Sequence, residues 1–126
     1  MSKIELPVIA AADISVSAER EGDAVRVLFR GTADMRVSDA LDHVLGAVHA
    51  EAQRCGAARV DIDFRDLEFM NSSCFKSFVT WISQVRELEG EKRYAIRFLS
   101  RAETLWQRRS LHALRCFAVD LITIEI

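Results

Sequence analysis

The sequence predicts a single α/β domain, in which an open, mixed β-sheet carries its helices mainly on one face. Short segments of alternating apolar and polar residues recur along the chain, separated by longer segments with helical spacing. The length of 126 residues, half of them apolar and 29% charged, suits one compact domain spanning 1–126. Charged residues also occupy alternate strand positions, which is not expected of a sheet covered on both faces. The predicted order is β-β-α-β-α-β-α-β.

The first predicted elements form a β-hairpin. A strand around residues 14–18 precedes Gly22, and residues 25–30 then alternate apolar with charged side chains. Because the two segments are joined by a short polar connection, we expect an antiparallel edge. Residues 1–12 carry no interpretable pattern, and we assign them to the domain as a poorly defined N-terminal segment.

A helix and a strand are predicted next. Ser38 is a suitable N-cap and Gly56 a suitable exit residue for a helix between them. Five apolar residues of this helix lie on one stripe: Leu41, Val44, Leu45, Val48 and Ala52. A third strand follows, in which apolar residues alternate with aspartates: Val60, Asp61, Ile62, Asp63 and Phe64.

The second half of the chain is predicted to contain two helices and two strands. A helix over residues 72–89 would bury one face, made of Phe75, Phe78, Val79 and Ile82. A strand at 94–99 precedes a helix at 104–118, and a last strand covers 121–126. This last helix would bury Trp106, Ala113, Leu114, Phe117 and Ala118, and expose Arg108, Arg109, His112 and Arg115.

The polar sheet face holds charges of both signs. Arg26, Asp61, Asp63 and Arg97 fall on alternate strand positions, so cross-strand ion pairs are expected. The pair Asp61 and Asp63 resembles a metal-binding motif only superficially, because no further ligand completes it. We therefore expect no metal and no cofactor.

Composition excludes several classes of function. A net charge of −2 gives no reason to expect a nucleic-acid partner. No apolar run approaches the roughly 20 residues that span a bilayer, and the N-terminus lacks the features of a signal peptide. The three cysteines form no CxxC or Cys/His cluster and are expected to be free thiols. A cytoplasmic protein is expected.

The segment 66–76 holds the most informative residues. It is predicted to run from the end of a strand, through a short loop, into the start of a helix. Ser72 and Ser73 would then lie where unpaired helix N–H groups point outward and a phosphate is tolerated. Residue types alone favour a plainer reading, in which Asn71 or Ser72 is simply an N-cap.

The same segment resembles the STAS domain of bacterial anti-sigma factor antagonists. Residues 69–74, read as Phe-Met-Asn-Ser-Ser-Cys, are similar to the family's Met-Asp-Ser-Ser-Gly motif, and residues 29–34 resemble its Leu-x-Gly-x-Leu-Asp stretch. The family's phosphoacceptor serine falls on Ser73. Two departures occur, because Asn71 replaces the usual aspartate and Cys74 replaces the glycine.

The resemblance implies a STAS-like fold and partner switching without catalysis. The unmodified protein would bind an anti-sigma factor or a GHKL-type serine kinase. Phosphorylation of Ser73, or of Ser72, would break the complex, and a PP2C-type phosphatase would restore it. The partner-binding residues are expected around the serines: Asn71, Cys74, Lys76, Ser77 and Trp81. Trp81 is the expected anchor, although it could equally cover the edge of the core.

Two other functions stay open. The domain could be a STAS subunit of a larger assembly, such as a transporter or a signalling complex. It could also be a thiol-based redox sensor, because a cysteine such as Cys74 in a first helical turn can have a depressed pKa.

Overall fold

The computed structural model describes residues 2–6 and 13–126 of the chain. A short 3-10 helix, Met35–Val37, precedes the first α-helix. The other elements, in chain order, are β1 (Ser2–Ile4), β2 (Ile14–Glu21), β3 (Ala24–Ala33), α1 (Ser38–Cys55), β4 (Arg59–Met70), α2 (Ser72–Arg86), β5 (Ala95–Leu99), α3 (Leu105–Phe117) and β6 (Ile122–Glu125). The predicted order is therefore confirmed from β2 onward. Strand β1 adds to it, since three residues are too few to show a pattern, and most of the remaining segment 1–12 lies outside the described residues.

The six strands form one mixed sheet in the order β1-β2-β3-β4-β5-β6. The two pairings at the N-terminal edge are antiparallel, and the three that follow are parallel. Each parallel crossover steps to the next strand in the same direction. Because such crossovers are right-handed, they place their helices on the same face of the sheet. The open, mixed sheet predicted from the sequence is confirmed.

The core lies between the helices and the inner face of the sheet. Phe64 of β4 is fully buried at its centre, and its ring centroid lies 5.3 Å from that of Phe78 in α2. The rings of Phe29 and Phe98, on the two neighbouring strands, each lie 5.5 Å from that of Phe64. These separations are those of favourable aromatic pairs, so the cluster joins α2 to three adjacent strands.

The opposite sheet face carries the predicted cross-strand ion pairs. Asp61 accepts two hydrogen bonds from Arg97 on β5, at 2.9 and 3.1 Å. Asp63 contacts Arg26 on β3 at 3.4 Å and Arg65 at 2.7 Å. Burial alone would raise the pKa of Asp63, but hydrogen bonds from Arg65 and Arg26 outweigh it and hold the pKa below its ordinary value.

The start of α1 differs from the prediction, whereas the buried face and the C-terminal end of this helix agree with the prediction. Ser38 is not the N-cap, because the chain already turns at Asp34, whose side chain accepts a hydrogen bond from Arg36 N at 2.9 Å. The Ser38 hydroxyl instead donates to the Met35 carbonyl. All five residues of the predicted stripe are buried, and Gly56 ends the helix in the left-handed region at φ 63°.

The buried faces of α2 and α3 are rotated relative to the prediction. In α2 the predicted core residues Phe75 and Val79 are only partly buried, and the helix ends at Arg86. Its buried face consists of Cys74, Ser77, Phe78, Trp81, Ile82 and Val85. In α3 the buried residues are Gln107, Leu111 and Leu114, whereas Ala113 and Phe117 are exposed and Trp106 is half-buried. Hydrophobic spacing allowed both rotations, and packing against the sheet selected one.

Candidate functional site

Strand β4 leads directly into α2, with only Asn71 between them. The ladder between β3 and β4 continues to the pair Ala33 and Met70, and Asn71 N then donates to the Ala33 carbonyl at 2.9 Å. The predicted loop before the helix is therefore absent. Two register shifts in this ladder accommodate the additional residues of β4, so a segment with an irregular pattern still pairs as a strand.

Asn71 is the N-cap of α2. Its backbone is extended, and its Oδ1 accepts a hydrogen bond from Cys74 N at 3.0 Å. This arrangement agrees with the capping role that residue types suggested for Asn71 or Ser72, and it assigns the role to Asn71. Neither serine hydroxyl is needed as the cap.

Ser72 and Ser73 are the first two residues of α2. The Ser72 side chain is exposed and that of Ser73 is partly buried, so neither is sealed in the interior. Their N–H groups belong to the first turn, which has no helical acceptor for them, and the positive end of the helix dipole lies there. Lys76 is exposed one turn further along, three or four positions away, where it can neighbour both serines. The site can accommodate an added anion.

Cys74, the next residue, lies in the core. Its side chain is fully buried, and its Sγ donates a hydrogen bond to the Asp34 carbonyl at 3.3 Å. Burial raises the pKa of this thiol to about 11, and the nearby carboxylates of Asp34 and Asp42 act in the same direction. The depressed pKa considered for a redox-sensing thiol at this position is therefore wrong, because burial and the two carboxylates disfavour the thiolate.

Ser77 and Trp81 are also interior residues. Only 6% of Ser77 and 1% of Trp81 are exposed, and the Ser77 hydroxyl donates to the Ser73 carbonyl at 3.4 Å. Cys74, Ser77 and Trp81 were expected among the partner-binding residues, but all three are buried, and for Trp81 this agrees with the alternative core role. These three side chains cannot contact a partner without opening the domain.

Two exposed apolar side chains near the serines were not identified from the sequence. Met35 is 70% exposed in the 3-10 helix, and Phe69 is 47% exposed near the end of β4. A backbone hydrogen bond from Asn71 N to the Ala33 carbonyl and a hydrogen bond from the Cys74 thiol to the Asp34 carbonyl hold both segments against the start of α2. The apolar pattern does not distinguish Phe69 from its buried neighbour Met70, so only the structure could reveal it. We call Met35, Phe69, Ser72, Ser73 and Lys76 the α2-start surface.

Other classes of site find no support in the described ranges. Within residues 2–6 and 13–126, no group of three or more His, Cys, Asp and Glu side chains is arranged so that it could hold a metal ion. None of the helices within those ranges is sufficiently long and apolar to span a membrane.

Comparisons with known proteins identify the fold. No protein-family model matches the chain, and no curated protein matches its sequence. Among solved structures, it is similar to the crystal structure of an anti-sigma factor antagonist from Mycobacterium paratuberculosis. The two share 22% sequence identity with a TM-score of 0.65, over 91% of this chain and 89% of the other. The α/β chain thus has the fold of an anti-sigma factor antagonist, as its resemblance to STAS domains implied.

Proposed function

We propose that this chain is a non-catalytic partner-switching protein of the anti-sigma factor antagonist type, whose docking surface surrounds the start of α2. The observation that carries the proposal is the position of Ser72 and Ser73, accessible at the first two positions of a helix in this fold. The partner would be an anti-sigma factor or a GHKL-type serine kinase, and the complex would form in the cytoplasm.

The α2-start surface suits a switch by charge. Met35 and Phe69 offer exposed apolar area, and the two hydroxyls are neutral. A phosphate would add about −1.5 to −2 charges at neutral pH, which disfavours burial against an apolar partner. The helix itself tolerates the anion, because the N–H groups and dipole of its first turn face it. Phosphorylation would therefore change the docking without unfolding the domain.

Ser73 is the proposed phosphoacceptor, because it falls on the second serine of the family's motif. Ser72 is the matched control, since it has the same side chain one position earlier and is the more exposed of the two. A PP2C-type phosphatase would reverse the modification.

The test uses anti-sigma factors and GHKL-type kinases encoded by the source organism, purified and titrated against this protein by calorimetry. We expect one of them to bind the wild type and Ser73→Ala alike, and to bind Ser73→Asp at least tenfold more weakly. With ATP added, mass spectrometry should locate the phosphate on Ser73. Equal binding of Ser73→Asp and the wild type would overturn the switch, and phosphate on Ser72 alone would overturn the assignment.

A second measurement tests the docking surface itself. Met35→Ala and Phe69→Ala should weaken binding while leaving the free energy of unfolding nearly unchanged, because both side chains are exposed. Leu105→Ala, exposed on α3, is the control and should bind normally. Binding unaffected by either α2-start substitution would contradict this location of the surface.

A further inference from the structure

The solvent face of α3 carries a thiol and an imidazole in contact. Cys116 Sγ lies 3.6 Å from His112 Nε2, and both side chains are exposed. The two residues are four positions apart, so they stack on successive turns of one helix face. When Nε2 carries no proton, this geometry allows the imidazole to accept the proton of the thiol.

A shallow groove of about 450 Å³ adjoins this pair. Its lining residues are Leu105, Arg108, Arg109 and His112. Leu105 is 59% exposed and provides an apolar wall. Positions 105, 109, 112 and 116 follow one another along the same helix face, so the groove leads toward the thiol.

The groove is lined with positive charge. Residues 105–117 contain three arginines and a histidine, but no aspartate or glutamate. Within the part of the chain that the structure describes, none of Arg108, Arg109 and Arg115 forms an ion pair. This surface is therefore cationic on a protein whose net charge is −2. Anionic small molecules are favoured there over cationic ones.

We propose that Cys116 is a modification site for anionic low-molecular-weight disulfides, which the arginine-lined groove binds through their carboxylates. This site is independent of the α2-start surface, since it occupies another helix. The cysteine that sequence reasoning considered, Cys74, is buried and has a raised pKa. The accessible thiol with a neighbouring base is Cys116.

The reaction is a thiol–disulfide exchange. The Cys116 proton passes to His112 Nε2, and the Cys116 sulfur attacks one sulfur of the bound disulfide. A new S–S bond forms to Cys116 as the S–S bond of the small molecule breaks. The released thiolate takes up a proton, so the Cys116 sulfur is oxidised and the departing sulfur is reduced.

The test follows the modification of each cysteine by mass spectrometry, with oxidised glutathione as the anionic disulfide and cystamine as the cationic one. Arg109→Gln is compared with Arg30→Gln, which removes the same charge from an exposed position on β3. Comparing each variant with the wild type for each reagent cancels the intrinsic difference between the reagents. Circular dichroism checks that every variant is folded.

We expect Arg109→Gln to slow the reaction of Cys116 with oxidised glutathione about fivefold, the effect of one unit charge at close range in water. In the same variant, the reaction of Cys116 with cystamine should be unchanged or faster. The Arg30→Gln variant should react with both reagents at the wild-type rate. His112→Gln should slow both reagents, because it removes the proton acceptor. Equal effects of Arg109→Gln and Arg30→Gln would overturn the anion site, and an unaffected His112→Gln variant would overturn the role of the imidazole.

Discussion

The indole Nε1 of Trp81 donates a hydrogen bond to the hydroxyl of Tyr94 at 2.9 Å, and both side chains are buried. The same hydroxyl lies 2.7 Å from Nδ1 of His49. An indole N–H can only donate, so the Tyr94 oxygen accepts from Trp81 and its proton can be given to a neutral His49. The three side chains thus link α2, the residue before β5, and α1 through one polar chain that runs from the core to the half-buried His49.

Removing the acceptor of this chain should destabilise the domain. Tyr94→Phe leaves the buried indole N–H without a partner, which is expected to cost about 1–3 kcal/mol in the free energy of unfolding. Urea denaturation measures this cost. The double variant Trp81→Phe/Tyr94→Phe should lose less than the sum of the two single variants, because they remove the same bond. A Trp81→Ala protein with unchanged stability but weaker partner binding would contradict the buried role of Trp81.

His49 should make the stability of the domain depend on pH. Burial lowers its pKa below the ordinary value of 6.5, so the unfolded chain binds the proton more readily than the folded one. The stability that the neutral His49 side chain provides is therefore fully present above about pH 6.5. It is lost as the pH falls from there through the pKa of His49 in the folded protein. Urea denaturation at several pH values between about 5 and 8 measures this dependence.

The control for this prediction is His43, which is exposed on the same helix. His49→Gln should flatten the dependence on pH in this window, whereas His43→Gln should retain it. An unchanged dependence in His49→Gln would mean that a group other than His49 is responsible for the dependence of stability on pH.

Asn71 should contribute to stability through its cap. Asn71→Ala removes the acceptor for Cys74 N and is expected to cost about 1 kcal/mol. Asn71→Asp retains a capping oxygen and adds a charge that the helix dipole favours, so its stability should equal or exceed that of the wild type. Thermal denaturation compares both with Ser72→Ala, which should lose little because Ser72 is not the cap. A larger loss for Ser72→Ala than for Asn71→Ala would show that the cap is misassigned.

Gly31 and Gly46 should respond in opposite ways to alanine. A Cβ at Gly31 would lie 1.9 Å from the Asp13 carbonyl oxygen, and the residue has φ +100°, so Gly31→Ala should cost about 3 kcal/mol or more. Gly46 is exposed within α1, and a Cβ there meets nothing within 4 Å. Gly46→Ala should therefore stabilise the protein by about 0.5–1 kcal/mol. Urea denaturation of the two variants tests both signs, and destabilisation by Gly46→Ala would contradict this account.

Much of the fold was predictable because local patterns determine it. The α1 stripe from Leu41 to Ala52 is buried as the helical spacing predicted, and Gly56 ends that helix. The alternation of Val60, Ile62 and Phe64 with Asp61 and Asp63 also predicted which side of β4 faces the core and which carries ion pairs. The serine pair at the start of α2 was likewise visible, because its strand and helix have recognisable patterns.

The remainder depended on contacts between residues far apart in the chain. From β2 onward, the sequence alone determined which segments are strands and helices, since periodicity is a local property. Only the tertiary structure decided which side of α2 is buried, because Phe75 and Val79 on one side compete with Cys74, Trp81 and Val85 on the other. Packing against α1 and the sheet selected the second side, and only the structure shows that the apolar residues Met35 and Phe69 are exposed. The side chains exposed around a site are those that the core does not bury, and which ones these are depends on how all the helices and strands pack together.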